Sequence, residues 1–61
     1  MTNCKYYEGY DSTCDEVITK LHKHRENAFI EMLDYIGITE EEYYFRGAEE
    51  FVYVREVWWV K

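Results

Sequence analysis

The sequence predicts a small α+β domain in the order β-α-α-β, a two-stranded ribbon packed on one long helix. Three observations carry the prediction. The stretch "FVYVREVWWV", residues 51–60, alternates and is rich in Val and aromatic residues, as a strand requires. Residues 13–36 carry apolar side chains at helical spacing and stop at Gly37. Thr39 and Glu42 then form the Thr-x-x-Glu signature of a new helix start.

Residues 4–11, "CKYYEGYD", read as a short strand with Tyr6 and Tyr10 on the face of Cys4 and Glu8. Gly9 weakens that strand and marks a bulge. The long helix is capped by Ser12 or Thr13, with Asp15 or Glu16 completing the box. Its stripe runs through Val17, Ile18, Leu21, Ala28, Phe29, Met32, Leu33 and Ile36. At 1.5 Å per residue it would be about 35 Å long. Gly37 ends it, and Ile38 can pack back on Leu33 as a Schellman ending requires.

Two residues break the stripe. Arg25 falls inside it and Ile30 falls opposite it. Together they indicate a second covered surface. The second helix spans 39–46, with Glu40, Glu41 and Glu42 in the first turn, where the helix dipole favours negative charge, and Ile38 able to staple against Tyr43. Gly47 closes it. The last strand, 49–60, shows Phe51, Tyr53, Val57 and Trp59 on one face and Val52, Val54, Trp58 and Val60 on the other. Phe51, Val54 and Trp58 also fit a helical stripe, but Val-rich alternation favours the strand. It is longer than the first strand, which would leave part of its edge unpaired. Both faces are apolar, and one long helix can cover only one. A homodimer is therefore expected, with Val52, Val54, Trp58, Val60, Arg25 and Ile30 at the interface.

The chain has 61 residues and reads as one domain, 1–61. A chain of this size buries only about 60% of its unfolded surface, so staples or assembly are expected. At 48% hydrophobic and 20% aromatic it is not a disordered sequence. Cys4 and Cys14 are expected as free thiols in a reducing cytoplasm, because no apolar leader or membrane-length run is present. Met1 and Lys61 read as the ends of a complete small open reading frame.

The net charge of −6 excludes direct nucleic-acid and anionic-membrane binding as expectations and favours basic protein surfaces. No nucleophile–base arrangement, phosphate loop or metalloprotease motif is present, so no enzyme, catalytic residue or cofactor is expected. His22 and His24 are two apart and point to different helix faces, so they cannot share one metal. With Cys4 and Cys14 they have zinc ligand types without finger or ribbon spacing. A zinc-stabilised module is therefore the third reading, and no metal site is assigned.

What remains is carboxylates interleaved with tyrosine. The expected partner-binding residues are Asp34, Glu40, Glu41, Glu42, Tyr43, Tyr44, Glu49 and Glu50. Tyrosine supplies rigid contact area, and carboxylates meet Arg and Lys on a partner. In size, charge and aromatic content the whole chain resembles the small acidic inhibitors that phages and mobile elements encode against host defence or DNA-processing enzymes. That resemblance implies a DNA mimic that binds a nuclease or CRISPR effector in the host cytoplasm. A structural or regulatory adaptor with an aromatic binding surface is the alternative.

Overall fold

The computed structural model describes residues 3–60, and the side chains of residues 4–59. It is a mixed α+β domain, elongated at 41 × 21 × 15 Å. The elements are β1 (Asn3–Asp11), β2 (Glu16–Val17), α1 (Arg25–Ile36), α2 (Glu40–Phe45), a single 3-10 turn (Ala48–Glu50) and β3 (Val52–Val60). The sheet is antiparallel with strand order β2-β1-β3.

The main correction to the sequence reading lies in residues 13–24. They are not the first half of a long helix. They turn back and seal the outer edge of β1, so the sheet has three strands and the order is β-β-α-α-β. The residues expected to cap a helix make a tight turn instead. Asp11 Oδ1 accepts from the Thr13 N–H at 2.9 Å and from the Thr13 hydroxyl at 2.5 Å. Asp15 takes a left-handed φ of 52°, and the Tyr10 hydroxyl donates to its carboxylate. A short polar side chain satisfying nearby backbone N–H groups serves a turn as well as a cap, so the sequence signal is shared.

Past the turn, Ile18 N–H donates to Gly9 C=O at 2.9 Å, and Tyr7 and His22 exchange backbone bonds at 2.7 and 2.8 Å. Between them the chain bulges over 19–21. The Gly9 N–H would be orphaned there, and Thr19 Oγ1 accepts it at 2.8 Å. Arg25 is consequently the first residue of α1, not a charge within a stripe.

The other helix signals are present in the structure. Gly37 is left-handed, φ 74°, and its N–H and that of Ile38 both donate to Leu33 C=O, at 2.8 and 3.3 Å. Thr39 Oγ1 accepts the Glu42 N–H at 3.2 Å. Glu42 pairs with Arg46 at 3.1 Å.

β1 and β3 pair along their whole length, from Asn3↔Val60 to Asp11↔Val52, so the expected overhang of the last strand does not occur. Gly9, opposite Val54, lies against α1: a methyl group there would stand 2.7 Å from Thr19 Cγ2 and 3.0 Å from Met32 Cβ. The strand glycine is therefore the notch into which the helix docks. The buried core is Ile18, Ala28, Met32, Tyr43 and Val54, joined by the partly buried Tyr7, Phe29, Leu33, Ile36, Ile38, Ala48 and Val52.

This placement decides which face of β3 is inside. Val52 and Val54, expected at an interface, belong to the helix-covered face, and Val54 is only 7% exposed. The opposite face, carrying Cys4, Tyr6, Glu8 and Tyr10 with Tyr53, Arg55, Val57 and Trp59, has no helix on it among the described residues. At its centre Arg55 Nε donates to Glu8 at 2.7 Å and its guanidinium lies 4.0 Å over the Tyr10 ring. That pairing lets the Glu8 carboxylate sit at 7% exposure.

Candidate functional site

A concavity lies beside the outer edge of β3, where the start of α1, the α2 helix and the 3-10 turn meet. Arg25, Glu26 and Phe29 contribute from α1, Glu40, Tyr43 and Tyr44 from α2, Glu49 from the 3-10 turn, and Tyr53 and Val54 from β3. The groove encloses about 460 Å³.

Its floor and wall are aromatic. Phe29 and Tyr43 meet edge to face at 5.3 Å, Tyr43 and Tyr44 at 5.1 Å, and the Phe29 and Tyr44 centroids are 6.3 Å apart. Contacts of this kind contribute about 0.5–1.5 kcal/mol each beyond area burial. Tyr43 is the anchor. It is 3% exposed, and its hydroxyl donates to the Val52 carbonyl, tying α2 to the start of β3. Burial, then the neighbouring Tyr44 and Glu49, push the Tyr43 phenol above its ordinary pKa, while Arg25 opposes them. The phenol therefore stays protonated and remains a donor.

The rim carries three carboxylates, Glu26, Glu40 and Glu49, and one guanidinium, Arg25. Glu40 stands at the first position of α2 because Thr39 caps that helix and the dipole stabilises a carboxylate there. Among the described residues none of these four charges has an ion-pair partner within 4.0 Å. Lys5–Glu56, His22–Glu31, Arg46–Glu42 and Arg55–Glu8 are the pairs that do form.

Of the residues expected to bind a partner, the fold brings Glu40, Tyr43, Tyr44 and Glu49 to this groove. Tyr43 belongs to its buried floor. Glu41 and Glu50 are exposed but do not line it, Glu42 is engaged by Arg46, and Asp34 is exposed on α1. Of the residues expected at a dimer interface, Arg25 lines the groove, and Ile30 and Trp58 are exposed. The side chain of Val60 lies outside the described residues. The sequence reading missed Glu26, Phe29 and Tyr53 as groove residues. Glu26 had a legible signal, an acidic residue in the first turn of a helix. It was hidden because residues 13–36 read as one helix.

Two further exposed features lie outside the groove. Phe45, at the end of α2, is 93% exposed, with Phe51 and Tyr44 also more than half exposed. At the far end of the ribbon Trp58 (61%) and Trp59 (51%) stand on opposite faces. Lys5 Nζ lies 5.4 Å from the Trp58 ring and 3.7 Å from Glu56.

Cys4 is half-buried and Cys14 exposed, both as free thiols. Desolvation, then Asp11, push the Cys14 thiol above its ordinary pKa, which leaves it a poor nucleophile at neutral pH. Among the described residues no group of three or more His, Cys, Asp or Glu is arranged to hold a metal. Nor, among the described residues, is any helix long and apolar enough to cross a membrane.

No family model matches the sequence, no curated protein matches it, and no solved structure matches the fold.

Proposed function

We propose that this protein is a non-enzymatic binding protein that occupies a basic surface on a nucleic-acid-handling protein of a host cell, as a phage or mobile-element inhibitor would, and stands there in place of DNA. One observation carries the reading. Glu26, Glu40 and Glu49, from three separate elements, converge with Tyr44 around one groove and, among the described residues, have no ion-pair partners within 4.0 Å. Desolvating carboxylates is costly unless a cation replaces the water, so such a rim favours a basic partner. Glu41 and Glu50 extend the same charge beyond the groove, and the net charge of −6 steers basic partners from a distance. Homodimerisation in the cytoplasm belongs to the same proposal, since a two-fold would double the acidic face.

The test is a titration of the purified protein against candidate nucleases and CRISPR effectors, with and without competing duplex DNA, across a salt series. Binding that weakens with salt and is displaced by DNA is the expected result. Binding indifferent to both removes the mimic reading.

A second reading rests on Phe45. An aromatic side chain at 93% exposure, beside Tyr44 and near Phe51 in sequence, fits an adaptor that binds through aromatic contacts. In that case Phe45→Ala abolishes partner binding while reversal of Glu40 and Glu41 to Lys barely changes it. The mimic gives the opposite ranking, with charge reversal acting mainly on the association rate.

A further inference from the structure

We propose that the groove and the adjoining free edge of β3 form one docking site for an extended, arginine- or lysine-bearing segment of the partner, which adds to the sheet as a fourth strand. The proposal rests on the reading of the protein as a binder of basic surfaces and names the form that surface takes.

The hydrogen-bond pattern identifies the free edge. Tyr7 exchanges backbone bonds with His22, and Gly9 C=O accepts from Ile18, so the odd-numbered residues of β1 direct their N–H and C=O groups toward β2. The even-numbered residues of β1 therefore bond to β3. Their partners Tyr53, Arg55, Val57 and Trp59 spend their backbone groups inside the sheet. Val54, Glu56 and Trp58 consequently aim theirs outward, and Val52, the next in that series, already has its C=O taken by the Tyr43 hydroxyl. That bond marks where the open edge begins.

The groove begins at the same place, since Tyr53 and Val54 form part of its lining. A strand paired with Val54–Trp58 would run its end into the groove. There the rim offers three carboxylates against one guanidinium, and the wall offers Tyr44, Tyr53 and Phe29. Aromatic faces and carboxylates attract the same ligand, a cation. Main-chain bonds along the edge supply affinity and the groove supplies selectivity, which is the division of labour in strand addition. Arg25 stands at the rim as a competing cation, so the site is attenuated by its own chain.

The experiment uses the whole protein and a short peptide of alternating valine and threonine with one central arginine. Controls are the same peptide with citrulline, and a version N-methylated along one edge. Amide and side-chain NMR shifts on Val54, Glu56, Trp58 and Tyr44 report the location. The arginine peptide is expected to bind there, with citrulline or N-methylation each weakening it about fivefold or more. Glu40→Gln and Glu49→Gln should weaken it similarly. Arg25→Ala should tighten it about twofold or more, a gain that general destabilisation would not produce.

Equal binding of the citrulline peptide, or shifts confined to other surfaces, overturns the proposal. So does a concentration-dependent self-association that occupies the edge and that the peptide cannot displace. If the peptide fails but salt-sensitive capture of polylysine persists, the docking site falls and the broader reading survives. If polylysine also fails to bind, both fall.

Discussion

Between Tyr7 and Asp11 the β1–β3 ribbon lies under α1 and is sealed along its β1 edge by residues 16–22. Between Cys4 and Tyr6 no β2 pairing or bridge is present among the described residues. The two halves are made of similar residues, aromatic and β-branched with an interspersed charge, yet one holds the core and the other holds Trp58 and Trp59 at more than half exposure. Gly9 is what permits close docking in the covered half: a methyl group there would meet Thr19 Cγ2 at 2.7 Å and Met32 Cβ at 3.0 Å, where the β1 edge and the helix come together over the strand.

The largest effects are expected where the helix meets the strand. Met32 is fully buried, and Met32→Ala should cost about 3 kcal/mol in urea unfolding, from lost transfer energy and the cavity left behind. Gly9→Ala should cost about 2 kcal/mol by overpacking, because the added methyl would crowd Thr19 Cγ2, whose hydroxyl accepts the Gly9 N–H, and Met32 Cβ, which moves only with α1. If Gly9→Ala is neutral, the covered half is not docked as closely as described.

Gly9 also shows how much was legible in the sequence. The second helix with its Thr39 cap and the Gly37 stop were readable because each rests on bonds within a few residues of itself, and the last strand because its Val-rich and aromatic alternation marks a strand whatever its partner. Residues 13–24 were not. Short polar residues such as Asp11, Ser12, Thr13 and Asp15 suit a turn as well as a cap, and Val17, Ile18 and Leu21 fall at helical spacing by coincidence. What decides between the two is a non-local event, the pairing of Ile18 and His22 with β1, and no period in the sequence encodes that. The same error displaced the site. Once Arg25 is placed at a helix start and not mid-stripe, Glu26 and Phe29 fall beside Glu40 and Glu49.

The Tyr43 hydroxyl joins the covered half to the groove. Tyr43→Phe removes the donor to Val52 C=O while keeping the ring, and should cost about 1 kcal/mol. Amide exchange at the start of β3 should rise with it. At the uncovered end, Trp58→Ala and Trp59→Ala should each cost only about 0.5 kcal/mol, as surface substitutions do. A much larger loss that grows with dilution would show that this end is covered in solution by a second copy.

The smallest effect comes from the link that holds the β1 edge to the helix. His22 Nε2 and Glu31 Oε1 are 2.7 Å apart, and Glu31 Oε2 accepts the Lys20 N–H at 3.1 Å. The His22 bond, followed by the Lys20 backbone, holds the Glu31 carboxyl below the ordinary glutamate range despite some desolvation. A carboxyl depressed in the folded state binds its proton more tightly when unfolded. Its contribution is therefore present above the unfolded pKa and is lost as the pH falls through the lower, folded one. Asp11, held low by the Thr13 hydroxyl and then the Thr13 N–H, acts in the same direction at the hairpin turn. Melting temperature followed downward from about pH 5 should fall. The fall should be shallower in Glu31→Gln, which has already lost the ionised partner. Both carboxylates support the covered half, so amide exchange in acid should quicken first around Ile18 and His22. An earlier loss at Trp59, whose backbone is bonded within the sheet opposite Cys4, would place the weaker half of the ribbon at its uncovered end instead.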